Sequence, residues 1–512
     1  MGAADSAGIR ARAVADPGCR SGGRCRPYLG GGGQVIWPLL IAAGTAVAVL
    51  LIDLVIPRWY VSLTLGVLGA LGTAATAFVA PSGRYALLCA TEDQCSYVLD
   101  DPAKLIAILI AVLTAAALLL YAPALKLGDA PAGEVGFLLA CAMTGGVVLG
   151  GARDLLTLIV ALETLTLPLY ALVALHRRRS AEGASASVTF FTTSIVATAV
   201  SLLGAALLNL STGTIHLPQA LAPTVYQPIA IAGVVLLLTG FGFKVAAVPL
   251  HAWAPSTYDG SPVPVAAYLS TASKLGGVVA ILFVTDAARI GGLIVPAGIT
   301  LAALATLSLL IGTLVALRQQ RTVRLLAWSS VAQAGFILAP LGGLIGTQLP
   351  ATGQKLLAAS LAYTLFFLAL ELAAFSGVAA LRPPPQDGGT LDDLNGLGRS
   401  APWRSAMLGF ALVGLAGLPP ALAGLFAKIT VLRALLDVGS FWLAVIVALV
   451  SVVGLAVYWR PFAALYRGPA TPSPRPHWTA LIPLTVATLV TAVLSVHPQY
   501  ILNLWPLTGL FS

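Results

Sequence analysis

The chain repeats one pattern from residue 34 almost to its end: runs of about 20 residues that are apolar on every face, the length an α-helix needs to cross roughly 30 Å of hydrocarbon. Such runs lie near 34–56, 60–80, 103–122, 131–151, 153–175, 184–210, 227–249, 263–285, 293–317, 321–345, 355–382, 402–432, 439–465 and 476–499. A soluble domain carries about 25% charged residues, whereas here 58% of 512 residues are hydrophobic and 9% are charged. The expected fold class is therefore an all-α polytopic membrane protein with about fourteen transmembrane helices, and its solvent is the lipid bilayer.

The net charge of +9 does not point to nucleic acid, because the basic residues lie between the apolar runs rather than in one patch with interleaved aromatics. They cluster after odd-numbered segments, as in Arg177, Arg178 and Arg179, or Arg318, Arg321 and Arg324, and are sparse after even-numbered ones. By the positive-inside rule the odd loops face the cytoplasm and both termini lie outside. Residues 1–33 are Gly/Arg/Ser-rich, which reads as a disordered tail rather than a cleaved signal. Cys19, Cys25, Cys89, Cys95 and Cys141 form no CxxC pair and no Cys/His cluster, so neither zinc nor an iron–sulfur cluster is indicated. Cys89 and Cys95 flank a short acidic loop and are placed to form a disulfide if that loop faces outside.

Two of the apolar runs are interrupted by proline at membrane depth. Pro249 follows GFGFKVAAV, and Pro419 and Pro420 follow GLAGL. Proline has no N–H to donate, so the carbonyls of Val245, Leu415 and Ala416 lose their helical partners. Polar backbone inside the bilayer is tolerated only where protein or a cavity receives it. The breaks lie five segments apart, an odd number, so two five-helix units of opposite sense are expected, 131–285 and 293–467. They are flanked by 34–122 and by a last helix in 476–512. Inverted repeats with interrupted helices build midplane ion sites in many transporters.

Of six lysines, Lys244, Lys274 and Lys428 fall within apolar runs, as does Glu163 in LLTLIVALETLTLPLY. Each such charge costs roughly 2.5–3.5 kcal/mol at a helix centre, so the four amount to about 10 kcal/mol if unpaired. Burial disfavours the charged form of each group and pairing restores it, so a moving partner loads or releases a proton. The structural alternative is a set of ion pairs that only fix helix packing. Four buried charges on separate helices, two beside breaks, favour proton translocation. His251, two residues beyond Pro249, is a candidate relay. Asp53 and Asp154, near segment ends, read as interfacially solvated.

FKVAAVPLHAWAPSTYDGSPVPVAAYLSTASK, residues 243–274, resembles the signature of the antiporter-like subunits of complex I, the proton-pumping NADH:quinone oxidoreductase (NDH-1). Its YDGSPVP stretch is more similar to subunit N than to subunits L or M or to Mrp-type antiporter subunits. RTVRLLAWSSVAQAGF (321–336) and LPPALAGLFAK resemble further family motifs, and the likeness spans nearly the whole chain beyond the tail.

The resemblance implies that Glu163 and Lys244 form a pair, that Lys274 links the halves, and that Lys428 is the terminal proton carrier. It also implies a bacterial cell membrane location and membrane partners of the L, M, K, J and A types. NADH, FMN, iron–sulfur clusters and quinone would be bound by partner subunits. Three positions depart from the family pattern: Thr189 stands where a sixth-helix lysine precedes the aromatic pair, Gln333 replaces a tenth-helix histidine, and Glu371 replaces an eleventh-helix asparagine. Glu371 is expected to restore a proton site near Lys428. An Mrp-type cation/proton antiporter subunit, a membrane subunit of a related hydrogenase or dehydrogenase complex, and a paralogue that assembles but pumps poorly stay open.

Overall fold

The computed structural model describes residues 26–27, 35–91, 94–175, 180–346 and 350–503. The expected tail, apart from 26–27, and the basic residues Arg177, Arg178 and Arg179 lie outside the described residues.

The apolar runs fold as helices close to their expected bounds. These are α1 (Trp37–Val55), α2 (Trp59–Val79), α3 (Asp101–Lys126), α4 (Ala132–Gly151), α5 (Leu155–Ala174) and α6 (Ser180–Thr212). The seventh crossing is split into α7a (Gln227–Lys244) and α7b (Trp253–Gly260). Then come α8 (Val263–Ile290), α9 (Ile294–Ala316), α10 (Thr322–Gly342) and α11 (Pro350–Leu381). The twelfth crossing is split into α12a (Pro402–Ala416) and α12b (Ala423–Asp437), followed by α13 (Phe441–Tyr466) and α14 (Trp478–Val496).

Among the described residues thirteen helices are long and apolar enough to cross a membrane. The remaining crossing is the twelfth, whose halves of 15 residues each are too short to span alone. The break at Pro249 also falls earlier than expected: α7a stops at Lys244, so this lysine is the last residue of a half-helix rather than an interior one.

Burial sorts the helices. α8, α10 and α11 are the most enclosed spans, and α1 and α6 the least. Leu54 on α1, Phe78 on α2 and Val452 on α13 point outward, as lipid-facing residues do. The enclosed helices are the ones carrying Lys274, Gln333 and Glu371, so the protein's own helices rather than lipid surround those groups.

At one end, strands Tyr85–Thr91 and Gln94–Leu99 form an antiparallel hairpin closed by a Cys89–Cys95 disulfide. Arg26–Pro27 adds a short parallel pairing to it. Asp154, expected to be solvated, is instead buried and caps α5, accepting from the Thr157 backbone N–H at 2.7 Å and its hydroxyl at 2.8 Å.

Candidate functional site

Lys244 ends α7a and turns toward α5, where its Nζ lies 2.8 Å from Glu163 Oε1. It also donates to the hydroxyls of Thr166 at 2.8 Å and Ser194 at 3.3 Å. The Lys244 side chain is 3% exposed and that of Glu163 27%, and Thr198 on α6 donates to the carboxylate at 2.7 Å. A buried ammonium with three acceptors is fully solvated by protein, which is the condition for keeping a charge in the membrane.

The break after Lys244 is satisfied by other groups. Trp253 Nε1 donates to the Phe243 carbonyl at 3.1 Å, and the Val248 N–H donates to Ser308 Oγ at 2.9 Å. Ala246 sits in the left-handed region at φ 60°, so the turn packs tightly. Rings of Phe190, Phe243 and Trp253 stack over it, with Phe190 and Trp253 centroids 4.5 Å apart. α8 approaches this turn through Gly277, where an added Cβ would lie 2.8 Å from Lys244 Cβ.

Lys274 lies one helical turn before Gly277 on α8, directly after a single turn of π-helix, Leu269–Ser273. Such turns recur at functional sites because they displace the side chains that follow. Lys274 Nζ donates to the Ser330 carbonyl at 2.5 Å and to the Ser330 hydroxyl. Ser330 Oγ is 3.1 Å from Ser270 Oγ, which donates to Glu371 Oε1 at 2.5 Å. Glu371 was expected beside Lys428. It belongs instead to the Lys274 cluster, because the π-turn brings Ser270 on α8 against α11.

Farther along α10, Gln333 donates to the Tyr458 hydroxyl at 2.7 Å and accepts from the Tyr363 hydroxyl. The Ser329 hydroxyl joins Tyr458 at 2.6 Å. Beyond them Lys428 on α12b reaches back across the second break and donates to the carbonyls of Leu415 at 3.2 Å and Ala416 at 2.6 Å. These are two of the carbonyls that Pro419 and Pro420 were expected to free. Its ammonium sits 5.6 Å above the Phe336 ring. Two small cavities touch Lys428 and Gln333, each with about 10 Å³ of room for a water centre, near the minimum for one water.

The sequence-derived residues fall unequally on this line. Glu163, Lys244, Lys274 and Glu371 are held in hydrogen-bonded clusters and Lys428 at a helix break. His251 lies outside the line: its Nδ1 is 3.2 Å from the Pro249 carbonyl and its ring packs near Trp328. The Thr189 hydroxyl bonds the Ser185 carbonyl of its own helix. Reading the sequence missed Thr166 and Ser194, which bond Lys244, Ser330 and Ser270, which join Lys274 to Glu371, and Tyr363 and Tyr458, which bond Gln333.

The family described as NADH:quinone oxidoreductase/Mrp antiporter, TM, matches residues 152–454, which hold every charged group of this line. The chain is 56% identical to NADH-quinone oxidoreductase subunit N of Salinispora tropica over 442 residues, 84% of each chain. It belongs to the subunit N family of complex I. Subunit N 2 of Streptomyces griseus is 40% identical, with 91% of this chain and 92% of the relative covered. A chain of respiratory complex I from Thermus thermophilus with bound aureothin superposes with a TM-score of 0.76 at 28% identity, covering 91% of this chain and 98% of that one. A chain of the Mrp complex from Dietzia shares the fold at 20% identity, with a TM-score of 0.78 over 93% of this chain and 95% of the other. As a subunit N, the chain is a membrane subunit of an enzyme complex whose cofactors are carried by other subunits.

Proposed function

We propose that this membrane subunit of complex I moves protons through Glu163, Lys244, Lys274 and Lys428, driven by electron transfer from NADH to quinone in partner subunits. The observation that carries the reading is that each of these charges is held by protein groups within the helix bundle. Glu163 and Lys244 are paired at 2.8 Å, Lys274 ends on Ser330, and Lys428 sits across the second break. A proton held as an ammonium at Lys244 is released when its contact with Glu163 lengthens, because the buried charge then loses its main partner. Lys274 takes up the exchanged charge in the centre, and Lys428 delivers it beyond the second break. The two small cavities that touch Gln333 and Lys428, one of them also touching Tyr458, each have room for about one water between these groups.

The chain itself carries no redox centre in this reading. NADH, FMN, iron–sulfur clusters and quinone belong to partners, and the adjoining membrane subunits are of the L, M, K, J and A types. The breaks in α7 and α12 lie five crossings apart, which supports reading 131–285 and 293–467 as inverted repeats. The arginines of the odd-numbered loops, Arg318, Arg321, Arg324 and Arg460 among them, support an arrangement with those loops in the cytoplasm of a bacterial cell and both termini outside. His251 is at most a peripheral relay, because it faces Pro249 and Trp328 rather than a lysine.

The test is purification in mild detergent followed by reconstitution into vesicles. The expected outcome is copurification with redox subunits and proton transport started by NADH and quinone. Isolation alone with Na+/H+ exchange and no response to NADH would overturn the proposal.

A further inference from the structure

The cluster around Lys274 contains a carboxylic acid on a hydrogen-bonded line with one direction. Lys274 Nζ donates to Ser330 Oγ, Ser330 Oγ meets Ser270 Oγ at 3.1 Å, and Ser270 Oγ donates to Glu371 Oε1 at 2.5 Å. An ammonium can only donate and a carboxylate can only accept. With both ends fixed, the middle contact runs from Ser330 to Ser270. Every group in this line is buried: Glu371 and both serines are 0% exposed and Lys274 is 1% exposed. Glu371 Oε2 is also buried, with no hydrogen-bond partner among the described residues.

We infer that Glu371 is the proton partner of Lys274, and that the hydroxyls of Ser330 and Ser270 relay a proton between them. Three protons each move by one place. Lys274 gives an ammonium proton to Ser330 Oγ, Ser330 passes its own hydroxyl proton to Ser270 Oγ, and Ser270 passes its own to Glu371 Oε1. An ammonium and a carboxylate become an amine and a carboxylic acid, both serines keep one proton, and no net charge enters or leaves the cluster.

The exchange lets the central lysine lose its charge without a proton crossing the apolar wall. A neutral amine and acid are far cheaper to hold in the membrane than two separated ions. The return step restores the ion pair and, with it, the attraction of the Lys274 ammonium toward the Glu163 carboxylate when the Glu163–Lys244 pair opens. The inference rests on the proton-carrying reading of Lys274 proposed above.

The experiment uses inside-out vesicles containing the complete complex, with Ser270→Ala, Ser270→Thr, Glu371→Gln and Lys274→Met. NADH-driven proton uptake is normalised to assembled complex by NADH oxidation with a hydrophilic acceptor. Ser270→Ala and Glu371→Gln are expected to lower uptake roughly a hundredfold, the lower end for losing a positioned proton-transfer group. Ser270→Thr, which keeps the hydroxyl, is expected to restore it.

The redox-induced infrared difference spectrum gives a signature that packing alone does not move. A carboxylic C=O band should appear during turnover, disappear in Glu371→Gln and stop responding in Ser270→Ala. Glutamine is isosteric with glutamate, so the band assignment does not depend on the alanine variant assembling. Wild-type uptake in Ser270→Ala, or a band that survives Glu371→Gln, would overturn the inference. If Lys274→Met abolishes uptake while Ser270→Ala and Glu371→Gln leave it unchanged, this inference alone fails. If Lys274→Met also pumps normally, the reading of Lys274 fails with it.

Discussion

The two broken crossings use the same backbone device and treat their lysines in opposite ways. At the first, Trp253 meets the Phe243 carbonyl and Ser308 receives the Val248 N–H. Lys244 is therefore free to bind Glu163, Thr166 and Ser194. At the second, Gly417 in the left-handed region, at φ 86°, ends α12a, and Lys428 itself donates to the carbonyls of Leu415 and Ala416. Among the described residues no carboxylate bridges to Lys428. The first lysine is set by a carboxylate that can change its protonation. The second is set by peptide dipoles that cannot, so its charge and the closure of the break are one variable. A proton leaving Lys428 removes part of what holds α12a to α12b.

That difference has consequences for stability that thermal unfolding of the purified complex can read. Lys428→Met should cost the most, about 3 kcal/mol or more, because it strands two buried carbonyls as well as removing a charge. Gly277→Ala comes next, at about 2 kcal/mol, since the new Cβ meets Lys244 Cβ at 2.8 Å and close-packed helices resist such overpacking. Trp253→Phe removes the donor to Phe243 and should cost about 1–2 kcal/mol. It should also slow NADH-driven proton uptake, because the turn that aims Lys244 is loosened.

Lys244→Met sharpens the comparison. It should abolish uptake and yet cost only about 1 kcal/mol, since the break keeps its own partners and Glu163 retains Thr198 and takes up a proton. A loss as large as that of Lys428→Met would break the distinction between the two crossings. The smallest effect is expected of Thr189→Val, within about 0.5 kcal/mol and with unchanged uptake. Among the described residues that hydroxyl bonds only the Ser185 carbonyl of its own helix.

The sequence made the charged skeleton visible because a Lys or Glu inside an apolar run stands against a large energetic cost. The prolines marked both breaks for a similar reason: a missing N–H is local and can be read without a partner. The connecting hydroxyls were hidden. Thr166 also bonds the Leu162 carbonyl, as serines and threonines on many membrane helices do, so nothing in the sequence separates a relay from a back-bonded side chain. Glu371 was visible as a charge, but its hydrogen-bonded place beside Ser270 was not. Its partner depends on Ser270, 101 residues away, and on a π-turn that helical periodicity does not announce. The end of α7a at Lys244 was also missed, because Val245, Ala246 and Ala247 continue the apolar run although the backbone has already turned.

The most direct test of the account is NADH-driven proton uptake in vesicles across the series Glu163→Gln, Lys244→Met, Lys274→Met and Lys428→Met, each normalised to assembled complex. The account predicts that every one of the four lowers uptake while the complex still assembles with its partners. Wild-type uptake per assembled complex in Lys244→Met and Lys428→Met together would contradict it, since the two broken crossings would then be structural features with no proton to carry.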